Sequence, residues 1–390
     1  MKIAYFTDTY VPQVNGVTFT VQAHAGLLAR NHQVRVYAPA YGLMYETVRE
    51  KNLVVERYPS VPLATYKEIR LPVVDMGRLE KSVIGFDPDI IHFHSPGVLG
   101  LAGVRMAKKL DRPLVGTYHT LFSEMLPPLP VFRFIPGGWL RKGIWKLSNK
   151  VFERCSLVIS LTQTIADELV RHGLKSEVRV LSGGIDIEQF AAKKSYRNRK
   201  RILHVGRMSH EKNVEAVVRA FGEVIKVLPD ALLVVAGGGP ALEGLKKLAG
   251  GLGLGEKVTF LGYVSREKLG ALYRRSDVFV TASAMETLGL VIVEAMASGL
   301  PVVGVAAGGV KDLVREGVNG YLVNPGDYRS MAKKIIHIFR EEKLLEKLGK
   351  NSRKLAEKHD VRKAVKELEE IYARLRPMDS VPNNQPFLAL

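Results

Sequence analysis

The chain has 390 residues, with 57 Lys and Arg against 39 Asp and Glu, a formal charge of +18, and a single cysteine, Cys155. Two or three domains of roughly 100–200 residues each fit this length. An intramolecular disulfide framework and a cysteine-rich metal site are excluded, and 46% apolar residues argue against long disordered tracts. The charge points to an anionic partner, whether nucleic acid, anionic lipid or a phosphorylated substrate.

Taken in order, strand-length apolar runs recur between turn residues, and helical patterns follow them. The first is Ile3–Phe6, followed by a helix around Thr18–Arg30 and a strand at Gln33–Tyr37. Further strands are expected at Ile90–Phe93, Leu114–Thr117, Leu157–Leu161, Ile202–Val205, Leu232–Ala236, Lys257–Phe260, Val278–Thr281 and Pro301–Gly304. The runs are unbroken rather than alternating, as in strands covered on both faces. Strands alternating with helices predict α/β architecture with parallel sheets and right-handed crossovers. No run reaches the ~18–20 apolar residues of a membrane span. The amino-terminal MKIAYFTDTYVPQ, interrupted by Asp8, lacks signal-peptide architecture, so a cytoplasmic protein is expected.

Lys193–Arg201 carries six basic residues among nine and no apolar pattern. A self-repelling, solvated connection between domains is expected there. The chain is therefore divided into a first Rossmann-like domain (1–182), a basic connection (183–201), a second Rossmann-like domain with terminal helices (202–376) and a loose tail (377–390). Two open parallel sheets place ligands beyond the carboxyl ends of their strands, in a cleft between the domains.

Three segments carry candidate chemistry. Asn15-Gly16, before the first helix, can bring backbone N–H groups close to a phosphate. In Gly206-Arg207-Met208-Ser209-His210-Glu211-Lys212-Asn213, a guanidinium fork and a compact ammonium bracket a helix start and suit a diphosphate; the plainer alternative is a solvated helix cap with Ser209 as N-cap. In Glu286-Thr287-Leu288-Gly289-Leu290-Val291-Ile292-Val293-Glu294, two glutamates eight residues apart are expected on nearly one helical face. The apolar surroundings of Glu294 demand a partner for its carboxylate.

These motifs together resemble the retaining glycosyltransferases of family 4, with the GT-B fold of two Rossmann-like domains facing a cleft. The resemblance rests on ETLGLVIVEAMASGLPVV and GRMSHEKN, with FTDTYVPQVNGV, PDIIHFHSP, VGTYHT, LSGGIDIEQF and AGGGP in order along the chain. It implies that Arg207 and Lys212 hold the donor diphosphate and that Glu294 binds the ribose hydroxyls. It places Glu286 at the hydroxyls of the transferred sugar, with the amides of Thr287, Leu288, Gly289 and Leu290 beside sugar and phosphate. Gly16 would let the first loop close over the diphosphate, His119 would face the reaction centre, and the turn Gly262-Tyr263-Val264 would lie near the base. The donor it favours is UDP-glucose, with no further cofactor and no metal. Ser182-Gly183-Gly184 stands where the family often has Pro-Asn-Gly, which weakens any role for a side chain at 183.

Two features suggest metals. Asp87-Pro88-Asp89 looks like a metal-binding DxD, but it precedes a strand and lacks a third ligand. His92 and His94 alternate on a strand, and the plainer reading buries one and sets the other at the cleft edge. Cys155 is expected in the core.

Between Arg105 and Arg154 there are ten basic residues and three acids, with Phe132, Phe134, Trp139 and Trp145 among Arg141, Lys142 and Lys146. Such a segment fits an anionic membrane surface. An ordinary amphipathic helix with Leu140, Ile144, Leu147 and Val151 as its core stripe is the competing expectation. VGTYHTLFSEMLPPLP, just upstream, makes this region most like the subgroup that glucosylates the 3-hydroxyl of 1,2-diacylglycerol. A lipid acceptor at the inner face of the cell membrane is the resulting expectation; a phosphoinositide, soluble sugar or polysaccharide acceptor is the alternative. Nucleic-acid binding is disfavoured because the excess charge is spread, +8 over residues 1–182 and +10 over the rest, and no nucleic-acid module is present.

Overall fold

The computed structural model describes residues 1–62, 70–119, 137–197 and 199–376, with the backbone alone at 137–141. The expected tail, 377–390, the loop 126–136, and the side chains of Phe132, Phe134, Trp139 and Arg141 lie outside the described residues.

The first sheet contains β1 (Lys2–Phe6), β2 (Gln33–Pro39), β3 (Glu46–Glu50) and β4 (Leu53–Tyr58); a small separate ribbon pairs β5 (Ser60–Pro62) with β6 (Arg70–Pro72). The sheet continues with β7 (Ile90–Phe93), β8 (Leu114–Tyr118), β9 (Leu157–Ser160) and β10 (Val178–Val180). Its order is β10-β9-β8-β7-β1-β2-β4-β3, parallel except for the edge strand β3. The second sheet comprises β11 (Arg201–Val205), β12 (Leu232–Ala236), β13 (Val258–Gly262), β14 (Val278–Val280), β15 (Val302–Val305) and β16 (Gly320–Val323). It is all parallel, in the order β13-β12-β11-β14-β15-β16.

Both sheets have apolar faces on either side, which accounts for the unbroken β-branched runs. Along β1, Ile3 and Tyr5 enter one core while Ala4 and Phe6 enter the opposite one. In β14, Val278 and Val280 likewise face one core and Phe279 the other. The strand order reverses direction at two places, β7-β1-β2 and β12-β11-β14. Crevices for ligands open beyond the carboxyl ends of the strands at such switch points.

The end of the chain corrects the expected domain division. The helix Val361–Leu375 was assigned to the second domain, yet Val361, Ala364, Val365, Leu368, Ile371 and Tyr372 pack in the core of the first sheet with Ile3, Tyr5 and Val21. The Tyr372 hydroxyl meets Tyr5 at 3.0 Å and His92 Nδ1 at 2.5 Å. The returning chain crosses the outgoing one at a bridge between Ile185 and Asp360. Gly184, at φ +69°, is needed here because a Cβ would lie 2.6 Å from the Val361 Cα.

The basic connection is also more ordered than expected. Lys193 is 5% exposed and its ammonium sits 2.7 Å from the buried carboxylate of Asp277, whose other oxygen accepts from the Arg199 and Arg201 amides. Cations that read as a solvated run include one that a buried acid, 84 residues away, draws inside.

His92 and His94 are both buried, against the expectation that one borders the cleft. With His24 and His119 they form a histidine-rich layer of the first domain in which burial lowers every imidazole, His24 to about 4 and His119 to about 3. These groups are neutral when folded and take up protons near pH 6.5 when unfolded. Each therefore contributes stability that is complete above pH 6.5 and is lost as the pH falls below it, at up to about 1.4 kcal/mol per pH unit per histidine. Urea unfolding followed at pH 5, 7 and 9 should show a much larger drop in midpoint between 7 and 5 than between 9 and 7. Equal midpoints at pH 5 and 7 would contradict the neutral buried layer.

Candidate active site

At the second switch point, the loop after β11 meets the loop after β14. Gly206 and Met208 donate backbone hydrogen bonds to Ala236 and Gly238, so the glycine turn after β12 braces the segment that presents Arg207. A short 3₁₀ turn, His210–Lys212, follows, and Asn213 at φ 47° leads into the helix Val214–Val227. Ser209 precedes that turn as expected of a cap, but its hydroxyl bonds the Glu211 carboxylate at 2.6 Å rather than a backbone amide. Arg207 Nη2 lies 3.2 Å from the same carboxylate.

Lys212 Nζ is 2.5 Å from Glu286 Oε1. Burial alone would raise the Glu286 carboxyl, but Lys212, the Ser283 hydroxyl and His204 outweigh it and hold the group below its ordinary range. Glu286 thus stays ionised beside a cation. The glutamates do not share a helical face as expected: the helix runs from Leu290 to Ala297, and Glu286 precedes it in a loop. Gly289, at φ +77°, makes the turn between them, where a Cβ would lie 2.9 Å from Ile292. The Glu286 carbonyl accepts from Gly309 N, fixing the loop from the side of β15.

Glu294 lies inside that helix and is 3% exposed. Its carboxylate accepts from the Tyr273 hydroxyl at 3.0 Å and faces Arg266 Nη1 at 3.1 Å. Burial pushes the Glu294 carboxyl up, and Arg266 and Tyr273 oppose that rise without cancelling it. Sequence reasoning missed both partners. Gly262 ends β13 at φ +64°, Tyr263 is exposed on the following turn, and Val264 leads to the helix Arg266–Arg275.

The first domain supplies the opposite wall. Asn15 caps the helix Gly16–Leu28, its side chain accepting from Thr18 N, which sets Gly16 at the helix start. A Cβ on Gly16 would be 3.5 Å from the Leu290 side chain, so this glycine faces the Thr287–Leu290 segment across the cleft. Thr287 joins the walls twice: its hydroxyl donates to the His119 carbonyl at 2.7 Å, and its own carbonyl accepts from the Thr162 hydroxyl at 2.9 Å. His119 Nε2 lies 3.1 Å from His94 Nδ1, so one neutral ring donates to the other. Asp8, after β1, holds the amino end of the helix Val98–Leu110 through the amides of Leu99 and Gly100. The structure therefore brings Gly16 and His119 of the first domain against the Thr287–Leu290 segment of the second, with Lys212 on Glu286 beside it, Arg207 on the same loop as Lys212, and Glu294 buried in the helix that follows. Two cations, an ionised carboxylate and the amides of a helix start can bind a diphosphate and neighbouring hydroxyls.

Asp87 and Asp89 lie at the opposite end of the first sheet, before β7. Asp87 pairs with Arg112 at 2.8 Å, and Asp89 accepts from the Lys2 amide and faces Arg376. Trp145, expected at a membrane or acceptor surface, is instead 4% exposed and stacks on Tyr118 and His172. Leu147, expected in the core stripe, is 67% exposed. The helix Gly137–Phe152 buries Trp145, Ser148, Asn149 and Phe152 and turns Lys142, Lys146, Leu147 and Lys150 outward. The stripe lies about one position from the expected one because the aromatic ring, not the leucine, fills the core.

Comparison with known proteins places these features in a lineage. Residues 14–189 match the model of Glycosyltransferase Family 4, and residues 186–355 that of Glycosyl transferases group 1. An alpha-monoglucosyldiacylglycerol synthase from Acholeplasma laidlawii is 30% identical over 373 residues, covering 90% of this chain and 92% of that enzyme. The sulfoquinovosyl transferase SQD2 of Arabidopsis thaliana is 33% identical over 321 residues, 78% of this chain, which spans only 60% of the plant enzyme's length. Among solved structures, Anabaena HepE in complex with UDP-glucose superposes with a TM-score of 0.74, at 22% identity, over 96% of this chain and all of that one. The chain belongs to glycosyltransferase family 4 and carries the two-domain GT-B fold.

Proposed function

We propose that this glycosyltransferase moves a hexose, glucose, from UDP-glucose to diacylglycerol at an anionic membrane surface, with retention of the anomeric configuration. The observation that carries the donor half is the pairing of Lys212 with the ionised Glu286 at the switch point of the second sheet, with Arg207 five residues earlier on the loop after β11. The acceptor half rests on the likeness to a glucosyldiacylglycerol synthase and on the outward row of Lys142, Lys146 and Lys150 around the exposed Leu147.

In this reading Arg207 and Lys212 stabilise the charge that grows on the leaving diphosphate as the sugar–phosphate bond breaks. Glu286 accepts hydrogen bonds from sugar hydroxyls, and the amides from Thr287 to Leu290 support sugar and phosphate. The Tyr263 turn lies beside the base and Glu294 binds the ribose. The acceptor hydroxyl attacks on the face that the diphosphate leaves, and the departing phosphate oxygen takes its proton. His119 suits a hydrogen-bonding wall rather than a general base: with its ring held near 3 it is a poor proton acceptor at neutral pH. No metal step is required, since the cations are side chains. Among the described residues no helix is long and apolar enough to cross a membrane, so the lipid would be reached from the surface.

The direct test is incubation with a panel of nucleotide sugars, with and without diacylglycerol vesicles, and identification of products by mass. Hexosyl-diacylglycerol formed from UDP-glucose supports the proposal; transfer to soluble acceptors alone overturns the lipid assignment. Arg207→Ala and Lys212→Ala should each lower turnover about 10²–10³-fold. Lys212→Ala also strips Glu286 of its nearest cation, so that burial raises its carboxyl and the residual activity should climb with pH more steeply than in wild type. Near-native turnover in both variants would refute this diphosphate site, and activity that depends strictly on divalent metal would refute the metal-free scheme.

For the surface, sedimentation with vesicles of rising anionic content should show strong binding by wild type and weak binding by the Arg141→Ser, Lys142→Ser, Lys146→Ser triple variant. Each cation near an anionic surface contributes about 1 kcal/mol. Binding indifferent to lipid charge and to the triple substitution would count against docking through this helix.

A further inference from the structure

Arg266 occupies a junction that no part of the scheme above uses. It begins the helix Arg266–Arg275, and its guanidinium meets three separate parts of the molecule. Nη1 is 3.1 Å from Glu294 Oε1; the Phe19 ring, on the first domain's helix Gly16–Leu28, lies 4.5 Å away; and Phe190, in the connection between domains, lies 5.5 Å away. Of the two groups bonded to the Glu294 carboxylate, Tyr273 is fully buried while Arg266 is 25% exposed. The route from solvent to that carboxylate therefore runs past the guanidinium.

An ionised carboxylate has about four lone-pair positions. Tyr273 occupies one on Oε2 and Arg266 one on Oε1. One position on each oxygen is left, the pattern that matches two adjacent hydroxyls donating side by side. We propose that Arg266 is a positioning residue for the donor: it holds Glu294 ionised and oriented for the vicinal ribose diol, and Phe19 from the facing domain holds Arg266 in place. The inference rests on the donor-site reading above and deepens it.

Arg266 and Tyr273 are the charged and titratable groups that face Glu294, both from the helix 266–275, and burial pushes the carboxyl up against them. Without Arg266 the carboxyl should rise further, so that more of it is protonated at a given pH. Diol binding would then recover as pH rises.

Calorimetric titration of the full chain with UDP and GDP, and with their 2′,3′-dideoxy analogues, separates the roles. In Arg266→Ala the better-binding diphosphate should lose about tenfold in affinity at pH 6 and much less at pH 8.5, while its dideoxy analogue, which has no diol, should show no pH-dependent loss. Arg266→Lys, which keeps a cation, should restore the flat pH profile. Phe19→Ala should weaken the diol-bearing ligand several-fold, and the double variant Phe19→Ala/Arg266→Ala should be no worse than Arg266→Ala alone, as expected of residues acting through one another. Losses equal for the diphosphate and its dideoxy analogue at both pH values would overturn the inference alone. Failure of wild type to bind either diphosphate would overturn the donor-site reading and this inference with it.

Discussion

A carboxylate taken out of water must be given a cation or lose its charge, and that constraint organises the cleft. Glu286 and Glu294 lie on either side of one helix start, each nearly closed off from solvent and each paired with a base from a different element: Lys212 after β11 and Arg266 at the start of the helix 266–275. The two pairs tie the loops after β11 and β14 and the turn after β13 into one wall. A third buried pair, Lys193 with Asp277, anchors the connection between domains to the base of β14. Breaking a pair of this kind by removing one partner typically costs about 3–5 kcal/mol. Lys212 is therefore structural before a substrate arrives and, in the proposed reading, available to its phosphates when it does.

The two domains are held by contacts of a different kind. Thr287 reaches the His119 carbonyl and the Thr162 hydroxyl, Asp312 accepts from the Thr164 amide, and Arg266 lies over Phe19. The hydrogen bonds and the ring contact are each worth on the order of 1 kcal/mol, and Leu161 of the first domain adds an apolar contact by packing into a core of the second. The last helix crosses back to the first domain, so two chain segments lie side by side at the junction, bridged at Ile185 and Asp360. Two domains that meet through few contacts suit the proposed reaction, which must admit a nucleotide sugar and then exclude water.

The central strands were legible in the amino-acid sequence because burial on both faces writes an unbroken apolar run. Among the strands that escaped notice, β3 is an exposed edge reading ETVRE, β10 has three residues, and β4 and β16, reading LVVERY and GYLV, carry only short apolar runs. The helix 361–375 was readable as a helix, but an amphipathic stripe does not say which core receives it. Lys193 and Trp145 failed for a related reason: local composition reported a solvated cation and an interfacial ring, whereas Asp277 and the pair Tyr118 and His172 decided their burial from afar. Arg207, Lys212, Glu286 and Glu294 stand out in the sequence because charged groups at fixed spacing beside glycine turns suit phosphate and hydroxyl chemistry. Arg266 and Tyr273 sit near opposite ends of an ordinary polar helix, and only the fold brings them to Glu294.

The central claim is that the cations after β11 and the carboxylates around β14's loop form one donor site. A crystal structure of the protein with UDP bound would test it most directly. The account predicts diphosphate oxygens within hydrogen-bonding distance of Arg207 and Lys212 and the ribose hydroxyls on Glu294. A diphosphate held elsewhere, for instance beside Asp87 and Asp89 at the other end of the first sheet, would contradict it.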